Sequence, residues 1–158
     1  MIALFKPLAR DERGASIIEM AMVMPVLGSM LIGMVDISRA YSAKLQLEQS
    51  AYRAIEKVQQ YQATESTYTT LKSEAVAGAQ AAGFNVTDND VTLDFWLECN
   101  GSRQSTYDMS CPGGQTPARW VTVDIQAKFT PMFSSRRWPG ANSDGTFTLH
   151  GQAGLRTQ

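Results

Sequence analysis

Residues 15–35 read ASIIEMAMVMPVLGSMLIGMV, and this stretch decides the architecture. It is 21 residues long, and its only charge is Glu19. A bilayer core about 30 Å thick needs ~20 apolar residues at a rise of ~1.5 Å each, so Ala15–Val35 has the length of a transmembrane helix. The apolar core of a signal peptide runs only ~7–15 residues. Tyr41-Ser42-Ala43 has the small-residue look of a signal peptidase site, but the apolar run is too long and ends several residues before it. Ahead of the span lie Lys6, Arg10 and Arg13, with Asp11 and Glu12 between them. Basic flanks stay cytoplasmic, which predicts an N-terminus inside and everything after Val35 outside. Arg39 and Lys44 follow the span and make the bias modest.

The helix is expected to continue past the membrane. From Asp36 to Tyr61 there is no Gly or Pro, and good helix formers dominate. Ile37, Ala40, Tyr41, Leu45, Leu47, Ala51, Tyr52, Ile55 and Val58 recur mostly at spacings of three or four, which predicts one apolar stripe over residues 36–61. Pro25 leaves the Ala21 carbonyl without its helical donor and predicts a kink or local loosening. Gly28 and Gly33, with Ser29, offer flat faces to another helix. Asp36 reads as a helix-exit charge, within reach of Arg39 three residues on.

Composition narrows the function. The 158 residues carry 14 Lys+Arg against 15 Asp+Glu, a net charge of −1, which argues against a strongly basic nucleic-acid binder. An 18% charged and 44% apolar chain is not a disordered one. One histidine and two cysteines do not make a zinc cluster, so no metal site is expected. No phosphate loop, nucleophile pattern or paired catalytic carboxylates are visible, so neither a cofactor nor a catalytic residue is expected. His150 reads as a surface residue.

Residues 62–158 form the expected extracytoplasmic domain. Thr64–Ala82 reads as a short helix, with Ser66 or Thr67 as N-cap and Gly83 as stop. The period then switches to two in three runs, Val91–Cys99, Val121–Phe129 and Phe147–Leu155. The expectation is an α+β domain with a three-stranded antiparallel sheet, its apolar face covered by the helices. Segments 100–118 and 130–145 read as loops, and Arg136-Arg137-Trp138-Pro139-Gly140 as a small solvated basic turn. Cys99 and Cys111 have eleven residues between them, and in an exported domain an even pair reads as a disulfide. Trp96 and Trp120 fall on the polar phase of their strands. That suits a cross-strand pair, or a subunit or ligand contact surface. Asn85-Val86-Thr87 and Asn100-Gly101-Ser102 match glycosylation sequons, a pattern too frequent to use.

The junction Arg13-Gly14-Ala15-Ser16-Ile17-Ile18-Glu19-Met20 resembles the processing site of type IV pilin-like precursors. The stretch from Gly14 to Ala54 resembles more specifically the TadE/TadG-like pseudopilin family, through Gly14, Glu19, Pro25, Asp36 and Arg39-Ala40-Tyr41. Met20 stands where the family usually carries an aromatic residue. The resemblance implies a leader of residues 1–14, cleavage between Gly14 and Ala15 by a prepilin peptidase, and a transmembrane segment over 15–35. It implies a single-pass bacterial inner-membrane protein with its domain extracytoplasmic, which partners with other pilin-like subunits through its N-terminal helix and with an inner-membrane assembly platform, and which is incorporated into an extracellular pilus. The expected role is a minor, non-enzymatic subunit of a Tad-type pilus or related secretion apparatus, acting in assembly, initiation or at the tip, where adhesion belongs. The helix–helix–strand order is that of a pilin-like subunit. Cleavage creates an amine at Ala15, and a carboxylate in hydrocarbon is costly unless paired. Pairing of Glu19 with the Ala15 amine of a neighbouring subunit satisfies both; a Glu19 that merely snorkels to headgroups is the simpler reading. The competing class is an unprocessed bitopic sensor or binding protein. A secreted enzyme behind a signal peptide finds no catalytic constellation to support it.

Overall fold

The computed structural model describes residues 14–60, 65–133 and 136–157. The leader residues 1–13 and the junction at 61–64, where the first helix was expected to end and the second to begin, lie outside the described residues. The chain divides into two units, Met1–Ser38 and Arg39–Gln158.

Helix α1 runs Ala15–Gln60 as one 46-residue element, and Pro25 lies inside it. Among the described residues of the first unit, none of this helix is buried. Ile17 and Met22 are 72% exposed, Met34 is 66% exposed, and most of the large apolar residues between them are also exposed.

The second unit holds the rest of α1, then α2 (Glu65–Ala81), a single 3₁₀ turn at Asp88–Asp90, and strands β1 (Val91–Cys99), β2 (Ser102–Arg103), β3 (Pro117–Phe129) and β4 (Phe147–Arg156). The sheet is antiparallel, in the order β2-β1-β3-β4. It therefore has four strands and not the three expected. The fourth comes from Asn100 (φ 51°) and Gly101 (φ 81°), a two-residue turn that pairs Cys99 with Ser102 and Glu98 with Arg103. Positive φ at both central residues is what a tight hairpin turn needs, and Asn-Gly supplies it at little steric cost. β3 also begins four residues before the expected run. Arg119 lies on its buried phase and masks the alternation, and its guanidinium donates to the carbonyls of Tyr107 (3.3 Å) and Met109 (3.2 Å).

One face of the sheet carries the core. Val91, Val121, Val123, Ile125, Ala127 and Ala153 are buried against Leu47, Ala51, Ala54 and Ile55 of α1 and Leu71, Ala75 and Ala79 of α2. The small residues allow close layers. A Cβ built on Gly151 would lie 2.4 Å from the Leu47 carbonyl carbon, and one built on Gly78 would lie 3.4 Å from Ser50 Cβ. Buried Ser50 satisfies its hydroxyl by donating to the Gln46 carbonyl at 2.9 Å. Lys57 and Glu74 pair across the two helices.

Two local expectations need correction. Ser66 and Thr67 are already inside α2, whose helical backbone starts at Glu65, so neither caps it. The apolar stripe of α1 is two stripes, because Leu45 and Leu47 stand about 200° apart on a helix. Leu47, Ala51 and Ile55 face the core, whereas Ile37 (73%), Tyr41 (64%), Leu45 (40%) and Tyr52 (56%) are exposed. Gly83 does end α2. At φ 93° it lets its N–H reach Gln80 and the Phe84 N–H reach Ala79, which satisfies two terminal carbonyls.

Candidate functional site

Two regions combine exposure with distinctive chemistry. The first is the start of α1. Gly14 is exposed and immediately precedes the helix, so the Gly14–Ala15 bond lies at the helix start. Glu19 is exposed one turn in, and its carboxylate has no hydrogen bond or ion pair among the described residues. Ser29 Oγ donates to the Val26 carbonyl at 2.8 Å. That leaves the Ala21 carbonyl, opposite Pro25, still without its helical N–H donor. Around Gly28 and Gly33 there is open space where a Cβ would stand. Arg39, in the second unit, places its guanidinium over the Phe129 ring at 5.5 Å.

The second region is the outer face of the sheet. Asp94, Trp96 and Glu98 alternate along β1 and so share one face. The β1–β3 register sets Trp96 directly opposite Trp120. Their rings stack with centroids 6.0 Å apart and planes 12° from parallel. Both indole N–H groups donate to one carboxylate: Trp96 to Glu98 Oε1 at 2.8 Å and Trp120 to Glu98 Oε2 at 3.2 Å. The Asn100-Gly101 turn delivers Arg103 to the same face. Its guanidinium stands 4.7 Å from the Trp96 ring centroid and donates to both Asp94 oxygens, at 2.9 and 3.1 Å. The result is a half-buried aromatic pair flanked by one cation and two carboxylates. Such a surface offers broad apolar contact with fixed polar edges, as protein contact sites do. The cross-strand pairing of Trp96 and Trp120 is thus present. The roles of Glu98 and Arg103 escape a reading of the sequence, although Asn-Gly between Cys99 and Ser102 is the signal that would have placed Arg103 beside them.

Behind this face, Cys99 and Cys111 are joined, with Cα atoms 5.7 Å apart. The bridge holds the 104–116 loop over the inner-face end of the sheet, where Tyr107 meets Phe95 edge-on at 6.2 Å. His150 Nδ1 lies 3.2 Å from both Asp124 carboxylate oxygens, on an exposed surface. No cluster of three or more His, Cys, Asp or Glu suited to a metal is present among the described residues.

Among the described residues, one exposed apolar helix is long and apolar enough to cross a membrane, and it continues into a small α+β domain. That is the layout of a single-pass membrane protein. The family model described as TadE-like protein matches residues 14–55, from the Gly14 boundary through the apolar span into the exposed and buried stripes of α1. It is the family that the junction residues resemble. Neither curated proteins nor solved structures give a match.

Proposed function

We propose that this chain is a minor pseudopilin-like subunit of a Tad-type pilus or related secretion apparatus. It would be processed between Gly14 and Ala15 and held in the bacterial inner membrane, with its α+β domain extracytoplasmic. The observation that carries this reading is the coincidence of the TadE-like match at residues 14–55 with an apolar helix that is left exposed among the described residues. Lipid covers such a helix in the membrane, and neighbouring helices cover it in an assembly. The chain acts as the substrate of a peptidase and not as an enzyme. Removal of residues 1–14 takes away three basic and two acidic residues and moves the net charge from −1 to −2.

Assembly would be fixed by Glu19. Once Ala15 carries an amine, the amine and the carboxylate are two charges in hydrocarbon, and mutual pairing between subunits sets the axial stagger of adjacent helices. Leaving one partner of a buried pair unmatched costs about 3–5 kcal/mol. Glu19→Gln is therefore expected to leave insertion and the domain intact but to abolish crosslinking of processed protein to partner subunits. Glu19→Asp should be intermediate. Wild-type co-assembly of Glu19→Gln would reduce Glu19 to a snorkelling boundary charge. Pilus initiation, tip position and adhesion through the Trp96–Trp120 face belong to the same proposal. Trp96→Ala with Trp120→Ala should lower partner capture without altering membrane insertion.

A further inference from the structure

The connection between β3 and β4 lies at one identifiable end of the domain. Phe129 and Phe147 pair in register, so residues 130–146 leave and re-enter the sheet side by side. Arg39 sits over Phe129 at 5.5 Å. Eight residues on, Leu47 rests on Gly151, where a Cβ would lie 2.4 Å from its carbonyl carbon. The path from Leu47 back to Arg39 covers about 12 Å of helix, and that from Gly151 back to Phe147 about 13 Å of strand, in the same direction. The two ends of this connection are therefore at the end of the domain where α1 enters. Arg39 is four residues past Val35, the last residue of the apolar span, which is about 6 Å of helix.

This connection exposes what a solvated turn does not need. Met132 is 61% exposed, Phe133 54% and Trp138 56%, and Arg136 and Arg137 are exposed between them. Large apolar side chains exposed together mark a contact surface. Tryptophan beside arginine suits the headgroup level of a bilayer, where an amphipathic ring and an anion-seeking cation are both satisfied. We propose that Met132, Phe133 and Trp138 dock into the headgroup–acyl boundary of the bilayer that α1 crosses, with Arg136 and Arg137 on anionic headgroups. The inference rests on the reading of α1 as a membrane span.

The test uses the full chain in lipid nanodiscs at one chain per disc, built from zwitterionic lipid alone or with added anionic lipid. The lipids carry bromine high on the acyl chains. Subtracting the emission of Trp138→Ser from that of the wild type isolates Trp138. The expected result is loss of Trp138 emission in brominated discs, greater with anionic lipid. Arg136→Gln with Arg137→Gln should remove the anionic increment and leave the zwitterionic loss in place. Trp138 emission that ignores bromine but is quenched by aqueous iodide overturns the docking while α1 still spans. Trp138 shielded from both quenchers overturns it in favour of a protein contact. A chain that fails to enter discs overturns the span, and the docking falls with it.

Discussion

Gly151 shows how one missing side chain sets the packing of α1 on the sheet. Its place on the buried phase of β4 is where a Cβ would meet the Leu47 carbonyl carbon at 2.4 Å and the Glu48 nitrogen at 2.7 Å, both backbone atoms that cannot rotate away. Gly151→Ala must shift α1 or β4, and overpacking of this kind costs about 1–3 kcal/mol. The expected outcome is a lower thermal midpoint for the full chain in detergent, followed by circular dichroism. Gly33→Ala, with nothing within 4 Å, should leave that midpoint unchanged. Glu98 is the second informative residue. Glu98→Ala removes the acceptor of two indole donors, and because all three groups are only half-buried the cost should be about 1 kcal/mol. Near-ultraviolet dichroism of the Trp96–Trp120 pair should change with it. The outward phase of both tryptophans was legible in the alternation of their strands. The part played by Glu98 was not, because it depends on a register that sets Trp96 opposite Trp120, and register arises from the whole sheet.

Among the elements, the helix and the three long strands were legible because their periods are long and clean. β2 was not, because two residues carry no period; only the backbone demand of Asn100-Gly101 betrays it. The two stripes of α1 are hard to separate in the sequence because Leu45 and Leu47 are two residues apart in the chain and nearly opposite on the helix. The β3–β4 connection is tied back by charge. Lys128 Nζ meets Asp144 Oδ2 at 2.8 Å, and Asp144 Oδ1 accepts from the Thr146 N–H at 3.0 Å and from its hydroxyl. The Lys128 ammonium first, and then the Thr146 donors, hold the Asp144 carboxyl well below the usual carboxylate range. Asp144 in turn raises Lys128. The carboxyl's contribution is present above its ordinary pKa of about 4 and is lost as pH falls through the lowered value. The lysine's contribution is present below about 10.4 and is lost as pH rises through the raised value. Between those limits the connection is fully held. Asp144→Asn at neutral pH should therefore speed amide exchange at Thr146, and the wild type should show the same acceleration only in strong acid. Unchanged exchange in Asp144→Asn would show that the Thr146 amide owes its protection to another group.

For the whole molecule, the first unit is an exposed apolar helix and the second a domain with its own core. The domain is small, and its bridge secures the loop that Tyr107 lays over Phe95. On the chain-entropy view, closing a loop of this size contributes about 3 kcal/mol. The exported protein is expected to show Cys99 bonded to Cys111 by non-reducing mass analysis, and reduction should lower its midpoint. Quantitative alkylation before reduction would contradict both the bridge and an oxidising location. The central claim, that this chain is a processed pilin-like subunit, is tested most directly by the mass and N-terminal sequence of the protein extracted from membranes of cells with an active prepilin peptidase. The expected chain begins at Ala15 and lacks Met1–Gly14, with Gly14→Trp left uncut. An intact leader in those cells, or normal cleavage of Gly14→Trp, would contradict it and favour an unprocessed membrane-anchored protein.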